Sequence, residues 1–220
     1  MRFHDDLSTH GLRVPLTTDQ KTFKEAGDLG RLVVWLHSFG ERMVDAKSGR
    51  PAGPPRLPVS RRPKIEKIGT IPPDPSAMPD EISYEASARR LNVGAGFVDN
   101  VEPAVWRYEV SGKQVLVQWF SSRKRNRERP IIGDRRQPSP LAVVQPDVWL
   151  AEYTTELLNV LNVLTWLVEI EPQQAELLDR VCAGPFITTE RLVKAGGINP
   201  SEKKHSAADP DHPDLFAIEE

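Results

Sequence analysis

The chain has 220 residues, of which 39% are hydrophobic, with 20 prolines, 14 glycines and a formal net charge of −2. This length and apolar content suffice for one mid-sized folded domain, and the many prolines and glycines require long loops. The single cysteine excludes an internal disulfide, and no stretch is apolar enough for a signal peptide or a membrane span. We therefore expect a cytoplasmic protein that has no membrane partner.

The first predicted element is a helix. Apolar residues, of which Met43 is the last, recur at helical spacing from near Asp19 to residues 42–44. Gly27 and Gly30 lie inside this helix, and each weakens it by roughly 1 kcal/mol relative to alanine. We therefore expect these two glycines to permit close packing against a neighbouring element.

A long loop is predicted next. Residues 48–80 contain nine prolines, from Pro51 to Pro79, and have no sustained helical or strand period. Three short apolar segments separated by turn residues follow, at residues 81–84, 90–93 and 97–98. These segments predict a small antiparallel β-meander, and residues 115–120 predict a short helix after it.

The longest apolar helix is predicted at residues 147–170, where a wide apolar stripe indicates burial of much of the circumference. Pro172 favours the first turn of a second helix, at residues 173–182, which Gly184 and Pro185 end. Together the elements predict an α+β fold. In this fold the helices pack around a small antiparallel β-meander, and long Pro-rich loops connect the elements.

Positive charge is concentrated in two segments, although the whole chain is slightly acidic. Residues 107–136 carry nine Lys and Arg against three acids, and residues 50–68 carry six against one, which gives +6 and +5. Residues 201–220 carry six acids against two lysines, which gives −4. Guanidinium groups neutralise phosphates and form bidentate hydrogen bonds with guanine. The two basic segments therefore favour a nucleic-acid partner, with a solvated charge run as the alternative.

The basic segments supply the candidate binding residues. The first contributes Arg123, Lys124, Arg125, Arg127, Arg129, Arg135 and Arg136, and the first four of these are the best candidates for direct contact with DNA bases. The second contributes Arg61, Arg62 and Lys64, which we expect to face phosphates. We expect Trp106, Trp119 and Trp149 in the core rather than as stacking platforms.

Several patterns that catalysis requires are missing from the sequence. There is no Gly-x-x-x-x-Gly-Lys-Ser/Thr loop, and Gly94 and Gly96 are better explained by a hairpin turn than by a dinucleotide site. The histidines and the cysteine have no metal-ligand spacing, and Glu202-Lys203-Lys204 is attributed to a chance match to a nuclease centre. We therefore expect no catalytic residue, no metal and no cofactor.

Five sequence blocks in a fixed order carry a resemblance to a known family. They lie at residues 12–17, 35–42 (WLHSFGER), 49–57, 105–112 (VWRYEVSG) and 149–164. Over residues 11–181 the chain resembles the C-terminal specificity domain of Type ISP restriction-modification enzymes. Those enzymes are single chains with nuclease, translocase, methyltransferase and target-recognition parts.

The resemblance implies a module that binds double-stranded DNA at a specific sequence and acts with a methyltransferase and translocase polypeptide. It implies a connector at residues 1–16 and a target-recognition domain at residues 17–195. The polar, acidic composition of residues 196–220 predicts a flexible tail after this domain. An adenine methyltransferase is disfavoured, because the S-adenosylmethionine site and the Asn-Pro-Pro-Tyr-type pocket are missing. Two alternatives stay open: a protein-interaction subunit that docks through the apolar stripe of residues 150–170, and the remnant of a truncated gene.

Overall fold

Five α-helices and five short strands form the parts of the chain that the structure, a computed structural model, describes: residues 15–123 and 146–197. In chain order the helices are α1 (Gln20–His37), α2 (Pro103–Trp106), α3 (Val115–Arg123), α4 (Ala151–Cys182) and α5 (Thr189–Lys194). The strands are β1 (Ile82–Glu85), β2 (Arg90–Val93), β3 (Gly96–Val98), β4 (Glu109–Val110) and β5 (Lys113–Gln114). The predicted α+β class is confirmed.

The predicted meander is present as an antiparallel sheet in the order β1-β2-β3. Leu91 pairs with Tyr84 on one side and with Val98 on the other, so their side chains share the sheet face that packs on the core. Gly94 turns the chain between β2 and β3 with a φ of +56°, a conformation that glycine adopts at little cost. The Gly94–Gly96 pair therefore forms the predicted hairpin turn.

The predicted short helix after the meander is α3, and a hairpin precedes it. Strands β4 and β5 pair through Val110 and Lys113, and the turn between them has positive φ at Ser111 and Gly112. Gln114 donates a hydrogen bond from its side chain to the carbonyl of Trp106, which fixes the hairpin to the end of α2. The hairpin thus sets the start of α3.

Backbone contacts divide the chain into two units. The larger unit is Glu25–Leu177, and the smaller consists of Met1–Lys24 and Leu178–Glu220, of which residues 15–24 and 178–197 are described. In the smaller unit Thr17 and Phe186 form an antiparallel bridge, and the amide of Ile187 donates to the carbonyl of Leu16 over 2.7 Å. Thr188 caps α5 through its hydroxyl.

The hydrophobic core of the larger unit forms where α1, the meander, α3 and α4 meet. Its most deeply buried side chains include Trp35, Leu36, Leu91, Val93, Val98, Val105, Leu116, Leu157 and Leu161. Trp149 is buried, and Trp106 and Trp119 pack partly buried against the core, in line with the prediction. Much of the apolar stripe predicted on the long helix, including Leu157, Leu161 and Leu164, lies in this core, although Leu150 at its start is exposed.

The first helix ends earlier than residues 42–44. Beyond His37 the amide of Gly40 donates to the carbonyl of Trp35 and the amide of Phe39 donates to that of Leu36, which is the hydrogen-bond pattern of a Schellman C-cap. Phe39 occupies the left-handed position of this cap, with a φ of +50°. A non-glycine residue there costs about 1–2 kcal/mol, so the apolar period alone could not indicate this end.

The long helix differs from the prediction at both places where a boundary was expected. It begins at Ala151 rather than 147, because the amide of Trp149 donates to the carbonyl of Ala77 in the loop. It also continues through Pro172 to Cys182 as one helix, so the predicted pair of helices is wrong.

The expected close packing at the glycines of α1 is absent. A Cβ atom at Gly30 would have nothing within 4 Å, and one at Gly27 would meet only the side chain of Arg31 at 3.5 Å. The two glycines therefore weaken the helix without a packing contact that needs them.

We expect Gly30→Ala to raise the free energy of unfolding by about 0.5–1 kcal/mol, because alanine removes backbone freedom from the unfolded chain at a position with room for a methyl group. Urea unfolding measures this change. Gly40→Ala is the opposite control, because its Cβ would overlap the carbonyl of Gly53 and its φ is +77°. A Gly30 variant that is less stable than the unsubstituted protein would show that the site is not open.

Candidate nucleic-acid interface

The structure describes four of the ten predicted binding residues, Arg61, Arg62, Lys64 and Arg123. The others, Lys124, Arg125, Arg127, Arg129, Arg135 and Arg136, lie outside the described residues, as does the predicted acidic tail beyond residue 197. All four described candidates belong to the larger unit.

Arg61 lies at the edge of a surface cavity. Its side chain is about half exposed and forms an ion pair with Glu169 of α4. The cavity has a volume of about 360 Å³ and is lined by Arg61, Glu102, Pro103, Ala104, Val105, Arg107, Thr165, Val168 and Glu169. Two arginines and two glutamates therefore surround a mainly apolar floor.

Arg62 is partly buried and forms hydrogen bonds within the protein. Its Nε and one terminal nitrogen donate to the carbonyl of Leu57 at 3.2 and 2.9 Å, and its own carbonyl accepts from the side chain of Asn100. These bonds hold the proline-rich loop against the segment that follows β3. The guanidinium therefore already donates two hydrogen bonds to a backbone carbonyl.

Lys64 joins the same loop to the sheet. Its backbone forms a bridge with Asp99, with N–O distances of 3.1 and 2.9 Å. Its ammonium lies 2.6 Å from a carboxylate oxygen of Glu66, and the hydrogen bond with Glu66 raises the pKa of Lys64. Both side chains are more than half exposed, so this ion pair contributes little to stability and can exchange for another anion.

Arg123, the last residue of α3, is held by Glu156, by the Ser122 hydroxyl and by the carbonyl and ring of Trp119. Its Nε donates to Glu156 of α4 at 3.0 Å, and one terminal nitrogen donates to the carbonyl of Trp119 at 3.2 Å. The guanidinium carbon lies 3.9 Å from the centroid of the Trp119 ring, a cation–π contact. A base contact from Arg123 would require release of Glu156.

Arg107 belongs to the first basic segment but is not among the residues that the sequence predicts to bind DNA. It is exposed and lines the cavity together with Arg61. The two arginines are distant in sequence, so only the packing of α2 beside α4 could reveal that they share one cavity.

A second feature that the sequence did not indicate is the braced loop, residues 38–53, which follows α1. Phe39, Met43 and Val44 are exposed there, and the backbone of Met43 has a φ of +54°. The apolar spacing predicted that the first helix continues to residues 42–44, and the structure corrects this, because Phe39 and Met43 lie beyond its end at His37. The loop therefore presents large apolar side chains to solvent.

The braced loop is held by a network of internal hydrogen bonds. Arg50 is only 7% exposed, and its Nε donates to the carbonyl of Met43 at 2.9 Å. The backbones of Asp45 and Arg50 form an antiparallel bridge. The hydroxyl of Ser48 donates to the Asp45 carboxylate at 2.5 Å and thereby lowers the pKa of Asp45. The indole of Trp35 donates to the carbonyl of Pro51 at 2.9 Å, which fixes the loop to α1.

Two other kinds of site, a metal centre and a membrane span, are absent from residues 15–123 and 146–197. No group of three His, Cys, Asp or Glu side chains is positioned there to hold a metal ion. Among the helices in these ranges, none combines the length and apolar character needed to cross a bilayer.

Burial, together with a hydrogen bond to Glu171, raises the pKa of Tyr108 to about 12, so its hydroxyl keeps its proton at neutral pH.

Comparison with known protein families gives a match over most of the chain. Residues 1–159 match the family model of the Type ISP C-terminal specificity domain. No curated protein and no solved structure matches the chain. The matched range includes both basic segments and the braced loop, and it ends within α4.

Proposed function

Because the chain belongs to the Type ISP C-terminal specificity domain family, we propose that it recognises a specific sequence in double-stranded DNA and has no catalytic activity of its own. The observation that carries the proposal is the match over residues 1–159, well over half of the chain. A domain of this family serves target recognition in a restriction-modification system. Binding to DNA is the physical form that we propose for this recognition.

Within this proposal the basic residues have different tasks. Lys124, Arg125 and Arg127 contact base edges, joined by Arg123 once Glu156 releases it, and Arg129, Arg135 and Arg136 add further contacts. Arg61 and Lys64 face phosphates, because both are exposed and their surface ion pairs exchange at little cost. We assign Arg62 to positioning of the loop, because its guanidinium holds the Leu57 carbonyl.

We also propose the boundaries of the segments of this chain and the polypeptide with which it acts. Residues 1–16 form a connector, residues 17–195 the target-recognition domain and residues 196–220 an acidic tail. A methyltransferase and translocase polypeptide supplies the chemistry, and the protein acts in the cytoplasm with the DNA that it reads. The apolar stripe of α4 is buried in the core, so it gives no support to docking through that stripe.

The proposal is tested with single alanine variants of Lys124, Arg125 and Arg127, measured on a duplex selected by the unsubstituted protein and on a random duplex. Where the replaced residue reads a guanine edge, the alanine variant should lose on the order of 1–3 kcal/mol of binding free energy on the selected duplex. Its preference for guanine at one position of the site should also be weaker. A phosphate contact such as Lys64 should instead weaken both duplexes alike and reduce the salt slope by about one.

Arg31→Ala is the matched control, because Arg31 is an exposed arginine paired with Asp28 outside both basic segments. Its affinity and preference should equal those of the unsubstituted protein. If all the variants of the first basic segment also match it in affinity, preference and salt slope, that segment is a solvated charge run. If the unsubstituted protein shows no sequence preference, the proposed function itself is wrong.

A further inference from the structure

The braced loop, residues 38–53, combines two features that each oppose folding. Phe39 and Met43 are 39% and 48% exposed, and both backbones adopt the left-handed conformation that bulky side chains disfavour. Over residues 15–123 and 146–197 they are the two apolar residues other than glycine with positive φ. Strain of this kind persists where the surroundings enforce it, and such positions cluster at functional sites.

The surroundings of the two residues enforce their position. The buried Arg50 side chain holds the carbonyl of Met43, and the Schellman hydrogen bonds fix Phe39 at the end of α1. The Gly40 backbone lies so close to the carbonyl of Gly53 that no side chain would fit between them. The exposed apolar side chains thus stand on a rigid support rather than on a mobile loop.

The size and charge of this surface favour duplex DNA over a protein as the partner that covers it. A stable protein interface takes roughly 20–30 residues from each side, and here three apolar side chains stand beside the exposed charges of Glu41, Arg42 and Lys47. A wedge in duplex DNA needs one or two apolar side chains on a rigid support, with basic groups near the phosphates. Arg42 and Lys47 provide those basic groups on the same loop.

We propose that Phe39 and Met43 insert at a base-pair step of the bound duplex and bend it, while Arg42 and Lys47 contact the flanking phosphates. This inference rests on the proposed function and adds a contact that reads the deformability of DNA rather than its base edges. Steps that unstack easily would then be preferred at a position that no polar side chain touches.

The test uses the double variant Phe39→Gly, Met43→Gly in the full chain. Glycine removes the wedge and also relieves the left-handed strain, so the fold should be at least as stable as before. The control is the double variant Phe23→Ala, Val34→Ala, which removes apolar side chains of α1 that are 59% and 38% exposed, outside the braced loop and both basic segments. Thermal unfolding of both variants checks the fold.

The probe is the duplex selected by the unsubstituted protein, with a fluorescent donor at one end and an acceptor at the other. The unsubstituted protein and the control should bend it by roughly 20–90°, as apolar wedges do. The glycine variant should leave the duplex straight and lose about tenfold or more in affinity.

Two results would overturn the wedge. One is a straight duplex in complex with the unsubstituted protein, and the other is equal bending and affinity with the glycine variant. Either would leave the proposed function intact and turn the apolar pair into a surface for a protein partner. Failure of the unsubstituted protein to select any duplex would overturn the proposed function as well, so the two failures are distinct.

Discussion

Leu157→Asp is expected to leave the protein largely unfolded at room temperature. The Leu157 side chain is 0% exposed, in the middle of the α4 face that packs into the core of the larger unit. An unpaired carboxylate at such a position costs several kcal/mol, against a total stability of roughly 5–15 kcal/mol. Leu164→Asp, about two turns further along the same buried stripe, should have a similar effect.

Circular dichroism during thermal unfolding measures the loss. Thr155→Asp is the matched control, because it places the same charge at an exposed position of the same helix. The melting temperature of this control should be close to that of the unsubstituted protein. If both leucine variants also did so, the stripe of α4 would be exposed, and docking of a partner through it would again be possible.

Asn162→Leu is expected to lower the free energy of unfolding by about 1–3 kcal/mol. The buried Asn162 oxygen accepts a hydrogen bond from the amide of Leu57 at 3.0 Å, and its nitrogen donates to the carbonyl of Leu158 at 2.7 Å. Leucine would fill a similar space and leave the buried Leu57 amide without its acceptor. The melting temperature should fall by roughly 2–12 °C for a chain of this size.

The same substitution at Asn159 is the control, because Asn159 lies three residues earlier on α4 and is partly exposed. Asn159→Leu should change the melting temperature little. Equal melting of the two variants would mean that the Leu57 amide finds another acceptor. In that case the proline-rich loop would not depend on Asn162 for its attachment to α4.

The elements that the sequence predicted are those whose own residues determine them. The meander follows from alternating apolar positions bounded by turn residues, and the burial of α4 follows from its wide apolar stripe. The end of α1 was missed because Phe39 takes a position that usually requires glycine. The left-handed backbone of Phe39 depends on the contacts of the braced loop and not on the residues of the helix.

The helix through Pro172 shows how packing outweighs local preference. A proline inside a helix costs about 3 kcal/mol. Burial of Leu167, Ile170 and Leu177 on the flanking turns contributes about 1.5–3 kcal/mol each, which exceeds that cost. No pattern within residues 170–182 reveals how well these side chains will be buried.

The candidate interface was predictable in its charge but not in its geometry. The basic segments identified Arg61 and Lys64, which are exposed, but they also identified Arg62, which holds the Leu57 carbonyl. The cavity shared by Arg61 and Arg107 depends on tertiary packing between distant segments. The exposure of the Phe39 and Met43 side chains likewise could not be predicted without the structure.

The central claim is that this chain selects a DNA sequence, and selection from a random duplex pool by the purified full chain tests it most directly. The measurement is the sequence enriched after repeated binding, followed by its affinity at two salt concentrations beside a shuffled duplex. We predict enrichment of one sequence, bound more tightly than the shuffled duplex at both salt concentrations, with affinity that falls as salt rises. Equal affinity for the enriched and shuffled duplexes would contradict the claim.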